Sequence, residues 1–379
     1  MNDETQEELR LIVNERVDIR AVAQAFDSAR LTQARVLAEL TKGELAEDLH
    51  VSPAAVGQYE SGVAKPRFDL LPKLAKVLKV PIEFFATGRP LGRLDAANAH
   101  FRSLRSTRLK DRAKAAAHAE QLWELTYALE RRVRLPKVDL PSIPEGMEPT
   151  LAAHRLREAW GIGRGPVSHL MAIMESRGIV ASLIPMTNEA IRRVSAYSTD
   201  ALGRPLVIIT PEQAQSIYRY RFTCAHELGH LVLHANPLPG DRQQEREANE
   251  FAAEFLMPKI EIRPLLPRTV RIAQLERLSN QWGVSVQSLV RRMGELQVVS
   301  DLSVRRAYQR LNATIEFRRD EPITAYKGEV PSLLREALIL AEGHGLTRRQ
   351  LAGELCWTNS HLSEMLGEDD QRPVLKIVH

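Results

Sequence analysis

The sequence predicts an α+β protein that is mostly helical and built from several domains. Three observations carry this. The chain has 379 residues, more than one ordinary hydrophobic core organises. Apolar residues recur at helical spacing, and in residues 28–87 they mark helices so short that only tight turns separate them. The runs 178–184, 194–198 and 205–209 read as short strands that precede a long apolar helix, which gives a small sheet beside helices.

Composition bounds the function. Hydrophobic residues make up 44% and charged residues 26%, as in a soluble globular protein. Aromatics are only 5%, so the core is mainly aliphatic. A net charge of +4 and a sequence pI of about 9.1 permit nucleic-acid binding without requiring it. The two cysteines, Cys224 and Cys356, imply no disulfide framework and fit a reducing cytoplasm. Residues 1–8 are acidic and polar, unlike a signal peptide, and no apolar run approaches a membrane span. The expected location is the cytoplasm, with no membrane partner.

Residues 1–27 read as an N-terminal helical extension, with Leu9, Ile12, Val13, Val17 and Ala21 as a loose stripe. Residues 28–90 carry a stripe of Leu31, Ala34, Leu37 and Ala38. Thr41 with Glu44 then forms a capping box, and Ser52 caps a helix that has Pro53 at its first position. Gly62 ends that helix. A longer one is expected over 68–78, then a short one from Pro81. Short helices with a tight turn between the second and third are the helix-turn-helix pattern.

Thr41, Glu44-Leu45-Ala46, Val51-Ser52, Val56, Tyr59-Glu60, Gly62 and Pro66 together closely resemble the Xre/Cro/CI-type repressor DNA-binding domain. The resemblance implies that the helix over 52–60 lies in the major groove. The outward candidates for DNA are Lys42, Ser52, Ala54, Ala55, Gln58, Lys65 and Arg67. Gln58 can pair with adenine through its two-sided amide, whereas lysine and arginine mainly hold phosphates. The reading helix has no Arg or Lys of its own. Nine Lys+Arg against seven Asp+Glu over 29–90 leave a modest electrostatic footprint. The same fold used for protein contact is the alternative.

Residues 91–149 read as a basic helical linker. Eleven Lys+Arg face five Asp+Glu over 91–137. The densest part, Arg102, Arg105, Arg108, Lys110, Arg112 and Lys114, would either track phosphates or form a solvated helical face. Pro136, Pro141, Pro144 and Pro149 mark a stiff boundary.

Residues 150–270 contain the most specific motif, His226-Glu227-Leu228-Gly229-His230, in an apolar helical run. Residues four apart share a helix face, so both imidazoles can hold one cation. Glu227 stands where a carboxylate can take a proton from metal-bound water. Zinc is the expected ion and manganese the alternative. A hydrolase of this kind needs a third ligand and one open position. One zincin class, the metzincins, would place a histidine at position 236, but Asn236 stands there. The gluzincin solution takes a Glu from the next helix, expected over 245–256. Glu245 and Asn249 share a face of it, with Ala248 and Ala252 beside them, while Glu247, Glu250 and Glu254 turn toward the other side. Glu245 is therefore the expected ligand, Asn249 the partner of a ligating histidine, and Glu247 the runner-up. His234, one turn on, would stabilise an oxyanion, make a domain contact, or act as an ordinary capping or core histidine.

Arg221-Phe222, Ala225-His226-Glu227-Leu228-Gly229-His230 and Leu233-His234, followed by Glu245, Ala248-Asn249, Phe251-Ala252 and Leu256-Met257-Pro258, are similar to the ImmA/IrrE family of metallopeptidases. The resemblance implies a zincin-like domain that cleaves a specific repressor or antitoxin-like protein in phage, mobile-element or stress control. In the last region, 271–379, Trp282-Gly283-Val284-Ser285 resembles a further helix-turn segment. The spacing of Thr347, Gln350-Leu351-Ala352, Leu355, Ser360, Leu362 and Met365-Leu366 echoes a second helix-turn-helix, with a packing module the equal alternative.

The expectation is a DNA-binding transcriptional regulator with zinc-dependent, gluzincin-like endopeptidase activity. Its partners would be DNA and a repressor-type protein, and it could form a homodimer as such domains often do. The rivals are a transcription factor whose zincin-like domain senses or binds without cutting, and a peptidase that cuts its own Pro-rich linker.

Overall fold

The computed structural model describes residues 17–92, 94, 100–101, 109–184, 196–199, 203–210, 213–234, 241–313 and 322–368. Leu9, Ile12 and Val13, the basic residues Arg102, Arg105 and Arg108, and Asn236 lie outside the described residues. The first helices are α1 (Ile19–Gln24), α2 (Ser28–Leu37), α3 (Lys42–Leu49), α4 (Pro53–Glu60) and α5 (Leu71–Leu78). Then come β1 (His100–Phe101), α6 (Leu109–Glu130), α7 (Pro149–Ala159), α8 (Leu170–Ser176), β2 (Val180–Leu183), β3 (Ala196–Thr199) and β4 (Leu206–Ile209). The last are α9 (Ile217–Leu233), α10 (Arg242–Leu256), α11 (Lys259–Ile262), α12 (Ile272–Trp282), α13 (Val286–Glu295), α14 (Asp301–Ala313), α15 (Leu333–Glu342), α16 (Arg348–Leu355) and α17 (Asn359–Met365). The fold is predominantly helical α+β, with one small sheet among the described residues.

The chain forms two compact units, and neither is continuous in sequence. The first combines residues 1–94, 109–134 and 334–379; the second combines 95–108 and 135–333. The segment 271–379 is thus shared between the units, and its last helices belong with the N-terminal ones.

In the first unit, local signals set the turn between α3 and α4. Thr41 Oγ1 accepts from Glu44 N at 3.1 Å and Glu44 returns a bond to Thr41 N at 2.6 Å. His50 closes α3 at φ 58°, and Ser52 Oγ caps α4 by accepting from Ala55 N at 3.1 Å. Leu45, Ala46, Leu49 and Val56 bury the inner faces. Helix α5 is shorter than the expected 68–78. Pro72 sits in its first turn, and Phe68 stays outside it, exposed, with the Arg20 guanidinium 5.1 Å from its ring.

Helices α16 and α17 repeat this turn. Thr347 and Gln350 form a capping box, Cys356 takes φ 52°, and Thr358 caps α17 through His361 N at 3.1 Å. Leu351, Ala352, Leu355 and Leu362 are buried at the places that Leu45, Ala46, Leu49 and Val56 hold in the first motif. One side of α17 is engaged by α6, where His361 Nε2 donates to Gln121 Oε1 at 2.8 Å. The basic run also turns inward at its end: Lys114 is buried and paired with Glu39, so it is neither a phosphate contact nor part of a solvated face.

A buried charge network centred on Glu124 of α6 ties these pieces together. Arg30 of α2, with no exposed surface, donates to both Glu124 oxygens at 2.8 and 2.9 Å. Arg89 donates to Glu124 Oε1 at 3.0 Å and to the Leu355 carbonyl of α16. Removing one partner of a buried pair leaves an uncompensated charge, at a cost of roughly 3–5 kcal/mol. Glu124→Ala is therefore expected to lower the unfolding transition of this unit by that order and to leave the second unit's transition in place, as resolved by calorimetry.

In the second unit the sheet order is β1-β3-β4-β2. β2 and β4 are parallel, with Val180 opposite Leu206, while β3 runs antiparallel to β4 and to β1. All four residues of β4 are buried, which is why it reads as the unbroken apolar run Leu206-Val207-Ile208-Ile209. Helix α8 begins at Leu170, because His169 before it takes the left-handed φ of 52°. Gly178, at φ 80°, lies where a Cβ would meet the Lys137 backbone at 2.7 Å, so β2 is entered through a glycine. Helices α9 and α10 pack on each other, with α9 also against β3 and α10 against α7, over a core that includes Tyr220, Cys224, Leu228, Phe251 and Phe255.

Candidate metal centre

Helix α9 is anchored before it reaches its motif. Ser216 caps it, accepting from Arg219 N at 3.4 Å. Arg221, buried one turn in, donates to the Gly283 carbonyl at 2.9 Å, to the Val167 carbonyl and to Glu329. Glu329 also accepts from Leu170 N at 3.1 Å. This side chain thus fixes the rotation of α9 from three separate segments. Rotation decides which residues face α10.

The next contact sets the distance between the two helices. A Cβ on Gly229 would lie 3.0 Å from Phe251 Cδ1 and 3.3 Å from the Ala248 Cα and carbonyl oxygen. Only a glycine on α9 facing an alanine on α10 allows so close an approach. The approach carries Glu245 up to the two histidines. His226 Nε2 and His230 Nε2 are 3.0 Å apart, and Glu245 Oε2 and Oε1 lie 3.6 and 3.5 Å from them respectively.

The geometry suits a small ion. Ligand atoms at about 2.0–2.1 Å in a tetrahedral shell stand about 3.3 Å from one another, and the three observed separations are 3.0, 3.5 and 3.6 Å. The donor set of two imidazoles and a carboxylate also suits zinc. Among the described residues, His226, His230 and Glu245 are the group placed to hold a metal. His226 and Glu227 have no exposed surface and His230 has 4%, whereas the Glu245 side chain is 26% exposed. The open side, where a water and a substrate could enter, is therefore that of Glu245.

The surrounding residues orient these donors. Asn249 Nδ2 donates to the Glu245 carbonyl at 2.7 Å, which turns its Oδ1 toward His226 Nδ1 at 3.1 Å. His234, the C-cap residue of α9, lies with Nδ1 3.0 Å from His230 Nδ1. Burial, partly offset by its bond to Glu247, holds the His234 pKa below the usual histidine range. One sequence expectation changes here. Glu247 does not turn away with Glu254: its Oε2 lies 3.0 Å from His234 Nε2, because its long side chain reaches the end of α9. Glu254 does turn away, and ties α10 to Arg292 of α13 and to His154 of α7.

In the first unit, Ser52, Ala54 and Gln58 are exposed on α4 and Ala55 is half-buried. Lys42 lies 3.3 Å from Glu60, Lys65 bonds the Gln24 carbonyl, and Arg67 pairs with Asp69 at 3.1 Å. Ser52 serves as a helix cap as well as an exposed group. The cations thus flank α4 already held by local partners, and Gln58 is the exposed amide on the helix itself.

Residues 174–293 match the family model described as the IrrE N-terminal-like domain, a peptidase family, and residues 31–85 match the helix-turn-helix family model. No curated protein matches the chain. The chain therefore carries a helix-turn-helix domain of the DNA-binding type followed by a metallopeptidase-type domain. No helix among the described residues is long and apolar enough to cross a membrane.

The sequence reading missed β1, the three-way tie made by Arg221 and the reach of Glu247 to His234. The Arg221-Phe222 pair was visible in the motif, but its partners lie 54 to 108 residues away. Gly229→Ala offers a check on the interhelical contact. In an ordinary helix this change stabilises by up to about 1 kcal/mol. Here overpacking against Phe251 and Ala248 should destabilise by about 1–3 kcal/mol and weaken metal uptake, as read by denaturant unfolding and metal titration.

Proposed function

We propose that this protein is a DNA-binding regulator that is also a zinc-dependent, gluzincin-like endopeptidase. The single observation that carries the reading is the convergence of His226, His230 and Glu245 on one point, with Glu227 buried beside them. His226, His230 and Glu245 would hold the ion. Bound there, zinc would lower the pKa of a water and polarise the scissile carbonyl. Glu227 accepts the proton of the attacking water and passes it to the leaving amine. Asn249 orients His226, and His234 acts behind His230 rather than on the substrate.

The substrate we infer is a specific repressor or antitoxin-like protein in phage, mobile-element or stress control, and the fused helix-turn-helix domain supports regulation over digestion. DNA is the partner of the first unit, read through Gln58 with Lys42, Lys65 and Arg67 along the backbone, by a homodimer. The protein acts in the cytoplasm.

Two experiments test this reading. Glu227→Gln should retain one zinc per chain and lose cleavage of a neighbouring repressor-type protein by about 10²–10⁴-fold; wild-type cleavage rates in that variant, scored by intact mass, would refute the peptidase. Gln58→Ala should relax base preference at one operator position at a cost of roughly 1–3 kcal/mol, whereas Arg67→Ala should weaken all sequences alike and reduce the salt slope by about 1. Binding isotherms over a salt series separate the two.

A further inference from the structure

We propose that Glu247 acts through His234 to present the His230 Nε2 lone pair to the metal, which makes Glu247 a positioning residue and not a ligand. The proposal rests on the reading of His226, His230 and Glu245 as the ligands.

Glu247 Oε2 lies 3.0 Å from His234 Nε2. An ionised carboxylate only accepts, so His234 carries its proton on Nε2. A neutral imidazole protonated there has its lone pair on Nδ1. His230 Nδ1 lies 3.0 Å from that lone pair and donates to it. The lone pair of His230 is then on Nε2, the atom 3.5 Å from Glu245 Oε1. Gln243 Nε2 donates to the other Glu247 oxygen at 2.9 Å and holds the carboxylate in register with His234.

His226 reaches the same state by a different route. Its Nδ1 proton goes to Asn249 Oδ1, so its lone pair is also on Nε2. Both arrangements aim lone pairs at each other across 3.0 Å, which is repulsive unless a cation stands between them. The two supports are unequal. Asn249 is a neutral amide, whereas the chain behind His230 ends in a carboxylate, an outer partner of the kind that fixes the tautomer and ring orientation of a ligating histidine. Glu247 thus holds His230, through His234, in the state that can bind the ion, as Asn249 holds His226.

Glu247→Gln tests this. Its amide can donate to His234 Nε2, which reverses the chain and leaves a proton on His230 Nε2. Competition against a chromophoric chelator should show zinc affinity weakened by roughly 10–100-fold, and the cobalt-substituted protein should show a shifted d–d absorption. The melting temperature of the metal-free protein should match wild type, which a merely structural role would not predict. His234→Asn should show the same weakening, and Glu245→Gln a far greater one. Wild-type affinity and spectrum in Glu247→Gln would overturn the relay alone. A loss equal to that in Glu245→Gln would make Glu247 a ligand and overturn it likewise. A wild-type protein that takes up no zinc or cobalt would overturn the ligand reading on which the relay stands.

Discussion

The contact of Gly229 with Ala248 and Phe251 is the constraint on which the candidate centre depends. Two histidines four residues apart need only one helix to share a face. A third donor from another helix needs that helix at a fixed, short distance. Glycine facing alanine gives the distance, since any Cβ at 229 meets atoms at 3.0–3.3 Å. The ties of Arg221 fix the rotation of α9, and those of Glu254 fix α10 against α7 and α13. Packing over the length of both helices thus supplies the rigidity that a metal centre needs, and little of it is left to the side chains that would touch the ion.

Much of this was legible in the sequence because it is local. The two histidines, the adjacent Glu227 and the glycine all fall within five residues, and helical periodicity is enough to place them. Thr41 with Glu44, Pro53 and Ser52 similarly announce α3, α4 and the turn between them. The choice of Glu245 also follows from helix phase, together with the small residues Ala248 and Ala252 beside it. What phase could not show is reach. Glu247 lies two residues from Glu245 and should point away, yet it meets His234 because α9 ends there. Pairings across long sequence separations, such as His100 with Ser198 or Arg89 with the Leu355 carbonyl, leave no periodic trace.

The same distinction accounts for the C-terminal helices. Their caps and apolar positions repeat those of the first motif, so a second helix-turn-helix could be read from spacing. Their use could not. Lys114 and Gln121 of α6 reveal it: the first pairs with Glu39 and the second accepts from His361, so α6 engages α2's neighbourhood and α17 alike. Helix α17 is thus held by α6 on one side, with Leu362 and Met365 buried and Ser360 exposed. The first motif keeps Ser52, Ala54 and Gln58 of its reading helix exposed.

The central claim is that one zinc ion is held by two imidazoles and one carboxylate. X-ray absorption at the zinc edge of the purified full-length protein addresses it most directly. The account predicts a first shell of about four nitrogen and oxygen atoms near about 2.0–2.1 Å, with the outer-shell scattering of two histidines. A sulfur scatterer at about 2.3 Å, a shell with no imidazole signature, or protein free of zinc would contradict it.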